Sequence, residues 1–148
     1  MALTINPTYN NFMRSGEGFR NAWINQASVA IALVAADKVR VVRVPGGTKV
    51  DRVTIYTAGD LDTGTPALTG SIGFEYMDGT TGASATAVAA DGVNALSTAN
   101  TTTVYDIFPP VVLARDAYLV ITCGTGANAQ ASAAIVHGKV EGESQGVS

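Results

Sequence analysis

The stretch from residue 38 to residue 77 constrains the fold more than any other. It reads as strand (38–44), turn (Pro45-Gly46-Gly47), strand (50–58), polar loop (59–66) and strand (69–77). Along the last of these, Ile72, Phe74 and Tyr76 alternate with Ser71, Gly73 and Glu75. That period of two is what a sheet with one buried face imposes, because successive Cβ atoms point to opposite sides. In the middle strand Val53 and Ile55 face one way, and Arg52, Thr54 and Tyr56 the other. In the first, Lys38 and Arg40 alternate with Val39 and Val41, but Val42-Arg43-Val44 runs in the opposite phase. A β-bulge near Val41 and Val42 restores the alternation.

The rest of the chain extends the pattern. Residues 28–34 place Val29, Ile31 and Leu33 on one strand face. Residues 87–99 are Ala-rich and read as a short helix, with Gly92 in its middle. Strand 103–108 stops at Pro109-Pro110, which lack the N–H a central ladder needs. Residues 117–122 and 131–140 are the last two strands, joined by a Gly-rich loop. Short strands punctuated by Gly and Pro predict an all-β fold: an antiparallel β-sandwich, specifically a jelly roll, with an extended N-terminal arm. The boundaries are an arm at 1–26, the sandwich at 27–140 and a frayed polar tail at 141–148.

The arm differs from everything after it. It holds Tyr9, Phe12, Phe19 and Trp23, with Arg14 and Arg20 between them, and Pro7, Gly16 and Gly18 interrupt every candidate helical turn. A short helical turn near 19–24 is the one regular element expected there. Two readings stand side by side. The aromatics fold back on the chain's own β core, or they anchor the arm to a neighbouring subunit, since aromatics and Arg concentrate at interface hot spots. Arg40 and Arg43 are solvated face residues or further partner contacts.

Catalytic equipment is sparse. The lone histidine, His137, sits in the final strand, so a multi-histidine metal site has no second His, and a Ser-His-Asp arrangement would have to use His137, which no nucleophile elbow accompanies. Cys123 lies in an apolar run and reads as a small buried hydrophobe; a single cysteine permits no internal disulfide. Asp60 and Asp62 suggest calcium, but the ligand pattern fails at Gly64, Thr65 and Ser71, which leaves a solvated turn. The Gly124-Thr125-Gly126 loop lacks the Lys and helix of a phosphate cradle. Glu75 and Asp106 are a conceivable glycosidase pair, and Tyr56, Tyr105 and Tyr118 a conceivable carbohydrate platform. A net charge of −3 argues against nucleic acid, which calls for a basic face. Charged residues make up only 14% of the chain, against roughly a quarter in soluble proteins, which suits a subunit packed into an assembly and equally a secreted β domain. The first seven residues have no basic region or apolar run of a signal peptide, and no run reaches membrane-span length. The expectation is cytoplasmic synthesis, no membrane partner and no cofactor.

From Arg40 onward the chain resembles the decoration, or cement, proteins of tailed bacteriophages. The residues that carry the resemblance are Val44-Pro45-Gly46-Gly47-Thr48, then Val50-Asp51-Arg52-Val53-Thr54-Ile55, the loop with Asp60 and Asp62, and Ser71-Ile72-Gly73-Phe74. The Ala-rich 88–96 segment, a strand ending at Pro-Pro, Arg115-Asp116-Ala117-Tyr118 and an Ala-rich final strand continue it. The likeness spans about 27–140. It implies a jelly roll on the outer capsid surface that stabilises the head, with the major capsid protein and sister copies, as a homotrimer, for partners. The partner-binding candidates are then Tyr9, Phe12, Arg14, Phe19, Arg20, Trp23, Arg40 and Arg43. The alternative is a ligand-binding β module, such as a head-fibre or tail domain that recognises host carbohydrate; a paired-acid hydrolase ranks last.

Overall fold

The computed structural model describes residues 2–8, 12–15, 20–63, 67–93, 96, 99–127 and 133–144, with 12–15 and 93 as backbone only. Ten strands are formed: β1 (Thr4–Ile5), β2 (Phe12–Ser15), β3 (Arg20–Val29), β4 (Lys38–Val44), β5 (Thr48–Ala58), β6 (Gly70–Tyr76), β7 (Ala89–Val93), β8 (Thr101–Leu113), β9 (Ala117–Cys123) and β10 (Ala134–Ser144). They build two five-stranded sheets, β1-β4-β9-β6-β7 and β2-β3-β10-β5-β8. The fold is all-β, an antiparallel β-sandwich.

The pairing is nested. Strand β3 pairs with β10, β4 with β9, β5 with β8 and β6 with β7, all antiparallel. The chain is thus one long hairpin, bent at 77–88, whose successive strand pairs are dealt alternately to the two sheets. That is the wrapping of a jelly roll, and it gives the two four-stranded cores β3-β10-β5-β8 and β4-β9-β6-β7. Strand β1 adds parallel to β4, and β2 adds antiparallel to β3.

The core fills the space between the sheets. Trp23, Ala27 and Val29 of β3, Val53 and Ile55 of β5, and Val136 and Val140 of β10 meet Val39 of β4, Ile72 and Phe74 of β6, and Leu119 and Ile121 of β9. The anticipated bulge is present. Register shifts between Arg40 and Val42, so Val41 and Val42 both turn inward and are fully buried. Gly138 of β10 makes room for them, because a Cβ there would lie 2.7 Å from Val41 Cγ1 and 2.8 Å from Val42 Cγ2.

Several expectations need correction. The expected helix at 87–99 is replaced, at Ala89–Val93, by strand β7, which pairs with β6. Strand β3 runs from Arg20 to Val29, in place of the helical turn expected near 19–24, and of the strand expected at 28–34 only the first two residues belong to it. Strand β8 does not stop at the prolines; it continues to Leu113. It can do so because it is the edge of its sheet, where a missing N–H leaves no ladder partner unsatisfied. Strand β10 runs to Ser144, beyond the expected start of the tail at 141.

Candidate interaction surfaces

The N-terminal segment lies along its own domain wherever it is described. The Leu3 amide donates to Asp37 Oδ1 at 2.7 Å, and the Lys38 amide to the Leu3 carbonyl at 2.8 Å. Asp37 is buried and its other carboxylate oxygen accepts the Val34 amide at 2.9 Å, so one side chain clamps the start of β1 to the β3–β4 connection. Farther on, the Thr8 amide donates to the Gln26 carbonyl, and β2 then covers residues 21–24 of β3. The segment therefore crosses from one sheet to the other and closes the edges at β4 and β3.

Of the predicted contact residues, Trp23 is buried in the core, 3% exposed, on a strand paired with β10. The sequence boundary at residue 26 falls inside that strand. Arg20 opens β3 and makes a two-pronged pair with Asp51, at 2.6 and 2.7 Å. Phe12 and Arg14 lie on β2, while Tyr9 and Phe19 fall outside the described residues.

Arg40 sits on the outer face of the β4-β9-β6 sheet in a tied cluster. Its guanidinium hydrogen-bonds Glu75, reaches Asn6 Oδ1 at 3.2 Å and lies 4.9 Å from the Tyr118 ring centre, within cation–π range. Lys38 approaches the other oxygen of Glu75. Burial pushes the Glu75 carboxyl up, but the hydrogen bonds from Lys38 and Arg40 outweigh it and hold the group below its ordinary value. Arg43 is more exposed and pairs with Asp116 at 3.0 Å; Asp116 also accepts the Gly46 amide, and that bond, with Arg43, lowers its pKa. Arg115 pairs with Asp78, whose carboxyl falls to about 2, chiefly through the hydroxyl and amide of Thr80. An open depression of about 310 Å³ lies among Met77, Asp78, Arg115 and Asp116.

The enzymatic possibilities separate in space. Glu75 is on β6 of one sheet and Asp106 on β8 of the other, where it pairs with Arg52 at 2.7 Å. Tyr118 is under Arg40, Tyr105 packs against the core, and Tyr56 meets His137 on β10 with ring centres 5.6 Å apart. These rings do not form one platform. Asp62 is not the solvated turn residue expected. It is buried, and one oxygen accepts the amides of Ala67 and Leu68 at 2.6 and 2.8 Å, which pins the loop. Cys123 is buried as expected, and burial, with Asp37 and Asp91 nearby, pushes its thiol up to about 11. Among the described residues, no group of three or more His, Cys, Asp or Glu is placed to hold a metal.

What sequence reasoning missed is an apolar edge. The large exposed hydrophobics include Val104, Phe108 and Val112, all on β8, at 53%, 95% and 55% exposure. Ile31 and Val34 form a smaller exposed pair in the loop after β3. The signal for the first was the uncharged run from 107 to 114, read simply as the end of a strand.

The fold superposes on a chain of the cyanophage Pam1 capsid asymmetric unit with a TM-score of 0.62 and 23% identity, covering 88% of this chain and 91% of that one. It also superposes on a chain of the capsid of Ralstonia phage GP4 with a TM-score of 0.61 and 15% identity, covering 91% of each. At these identities the likeness is one of fold. No protein-family model matches the chain, and no curated protein aligns with it significantly.

Proposed function

We propose that this chain is a structural virion protein that binds the outer surface of a bacteriophage capsid as a homotrimer and stabilises the head. The observation that carries the reading is the shared jelly roll, which matches chains from two phage capsid structures across about nine tenths of their length. The surfaces support the same role. The space between the sheets is filled by side chains, and the acids and tyrosines that catalysis or sugar binding would use are dispersed or tied in ion pairs. A stabilising subunit needs no reaction centre. It needs a rigid body and apolar contact surface, and its effect grows with the number of copies and contacts on the shell.

The test is native mass of the purified protein, followed by mixing with undecorated phage heads and pelleting. Saturable co-sedimentation of a trimer, with heads that then resist heating better, is the expected result. A protein that ignores heads and binds glycans on an array would overturn the proposal in favour of carbohydrate recognition.

A further inference from the structure

The four sheet edges are unequal. Strands β1, β2 and β7 are edges of 2, 4 and 5 residues, whereas the edge strand β8 has 13. Short edges give little template for pairing, and long ones are ordinarily protected by charge, bulges or cover. On β8 the protection is partial. Its ladder with β5 jumps from Arg52↔Asp106 to Val50↔Val111, so residues 107–110 stand off the sheet. Pro109 and Pro110 lack N–H groups, which disfavours strand addition over this part. Yet the segment that stands off is apolar, and Phe108 is 95% exposed.

We infer that the Phe108–Pro109–Val112 patch is where copies of this chain meet, grouped about a rotation axis through side-chain contact. The occupant follows from charge. On such an axis each residue near the centre faces its own copy, so a charged patch repels itself and a neutral one does not. From 107 to 114 the chain has no charged residue. The charges beside the patch are neutralised in pairs, Arg52 with Asp106 and Arg20 with Asp51. Lys49, opposite Val112, is a further cation, on a long stem that can swing to water. The opposite edge of the same sheet is β2, of four residues. Because every copy uses the same β8 patch about the axis, the group is closed rather than a growing ribbon. The inference rests on the self-association in the proposed function and is independent of capsid binding.

The experiment is sedimentation velocity of the full chain from micromolar to near-millimolar concentration, for wild type, Phe108→Asp and Ile31→Asp. Circular dichroism checks that each is folded. Wild type and Ile31→Asp should form the same closed oligomer. Phe108→Asp should be a folded monomer, with self-association weakened by about 30-fold or more. If Phe108→Asp fails to fold, Phe108→Ser is measured in its place. An oligomer unchanged by either Phe108 variant overturns this inference and leaves the trimer standing on another surface. A variant that stays oligomeric but no longer pellets with heads also overturns it, and assigns Phe108 to the capsid. A wild type that is monomeric throughout overturns both the inference and the trimer.

Discussion

Gly138 offers the sharpest test of how the two sheets fit. Its ideal Cβ would lie 2.7 Å from Val41 Cγ1, 2.8 Å from Val42 Cγ2 and 3.4 Å from Leu119 Cδ2. Carbon atoms in good contact sit about 3.5–4.0 Å apart, so Gly138→Ala drives roughly 0.7–1.3 Å of overlap into two side chains. Neither can escape easily. Both valines are fully buried at a bulge where two residues turn inward together, and β-branched side chains are stiff at χ1. Overpacking of this kind costs about 1–3 kcal/mol. Against it, Gly→Ala stiffens the unfolded chain by about 0.4–1 kcal/mol. The net expectation is a loss of about 1–2 kcal/mol, or roughly 2–8 °C in Tm for a domain of this size. Urea unfolding of both proteins at one fixed concentration gives the difference directly. Adding Val42→Ala should cost less in the Gly138→Ala background than in wild type, with a coupling of about 1 kcal/mol. A Gly138→Ala protein as stable as wild type, or strict additivity in the double variant, would refute the reasoning.

Three further outcomes follow from the geometry. Trp23→Ala should cost about 3–5 kcal/mol of folding stability, with any fall in head binding tracking the unfolded fraction; a fully stable Trp23→Ala protein that loses binding would return Trp23 to the interface. Asp62→Ala strands the Ala67 and Leu68 amides, at a cost of about 1–3 kcal/mol. Amide exchange should quicken at those two positions first, and unchanged exchange would show that the carboxylate does not hold the loop. On acidification, the lowered carboxyls of Glu75, Asp116 and Asp78 leave the unfolded chain holding more protons than the folded one, so stability falls with pH. The urea midpoint should drop between about pH 4.5 and about pH 2, from the ordinary Glu value down through the folded value of Asp78. Glu75→Gln should flatten part of that slope; a midpoint flat over the window would contradict the pairing.

The parts of the fold that were legible in the sequence are those where one strand face is buried and the other wet. Strand β4 was read at its observed limits, bulge included, because Lys38, Arg40 and Arg43 mark the outer face. Strand β3 was hidden because its inward row, Trp23, Asn25, Ala27 and Val29, includes a polar and a small residue, while Ile24 faces outward. The Ala-rich stretch 87–99 suggested a helix, but Asp91, Gly92 and Val93 are weak helix formers and pairing with β6 makes Ala89–Val93 a strand. The exposed cluster was least legible. Arg40, Glu75 and Tyr118 come from three separated strands, and only the nested register brings them together.

That register also explains why the apolar patch and the low charge belong to one design. Among the described residues, Arg20, Lys38, Arg40, Arg43, Arg52, Arg115 and Lys139 all stand within ion-pair distance of a carboxylate on the same chain. Charges already paired within the subunit have less to offer a neighbour, and surface pairs contribute little to adhesion in any case. In the proposed assembly, contact with neighbours then comes chiefly from apolar and shape-matched surface. The N-terminal segment pairs with the edges at β3 and β4, and β8, at the far edge of its sheet, carries Val104, Phe108 and Val112 among the large exposed hydrophobics. The chain pairs with two of its own edges through β1 and β2, and leaves apolar surface at a third, β8.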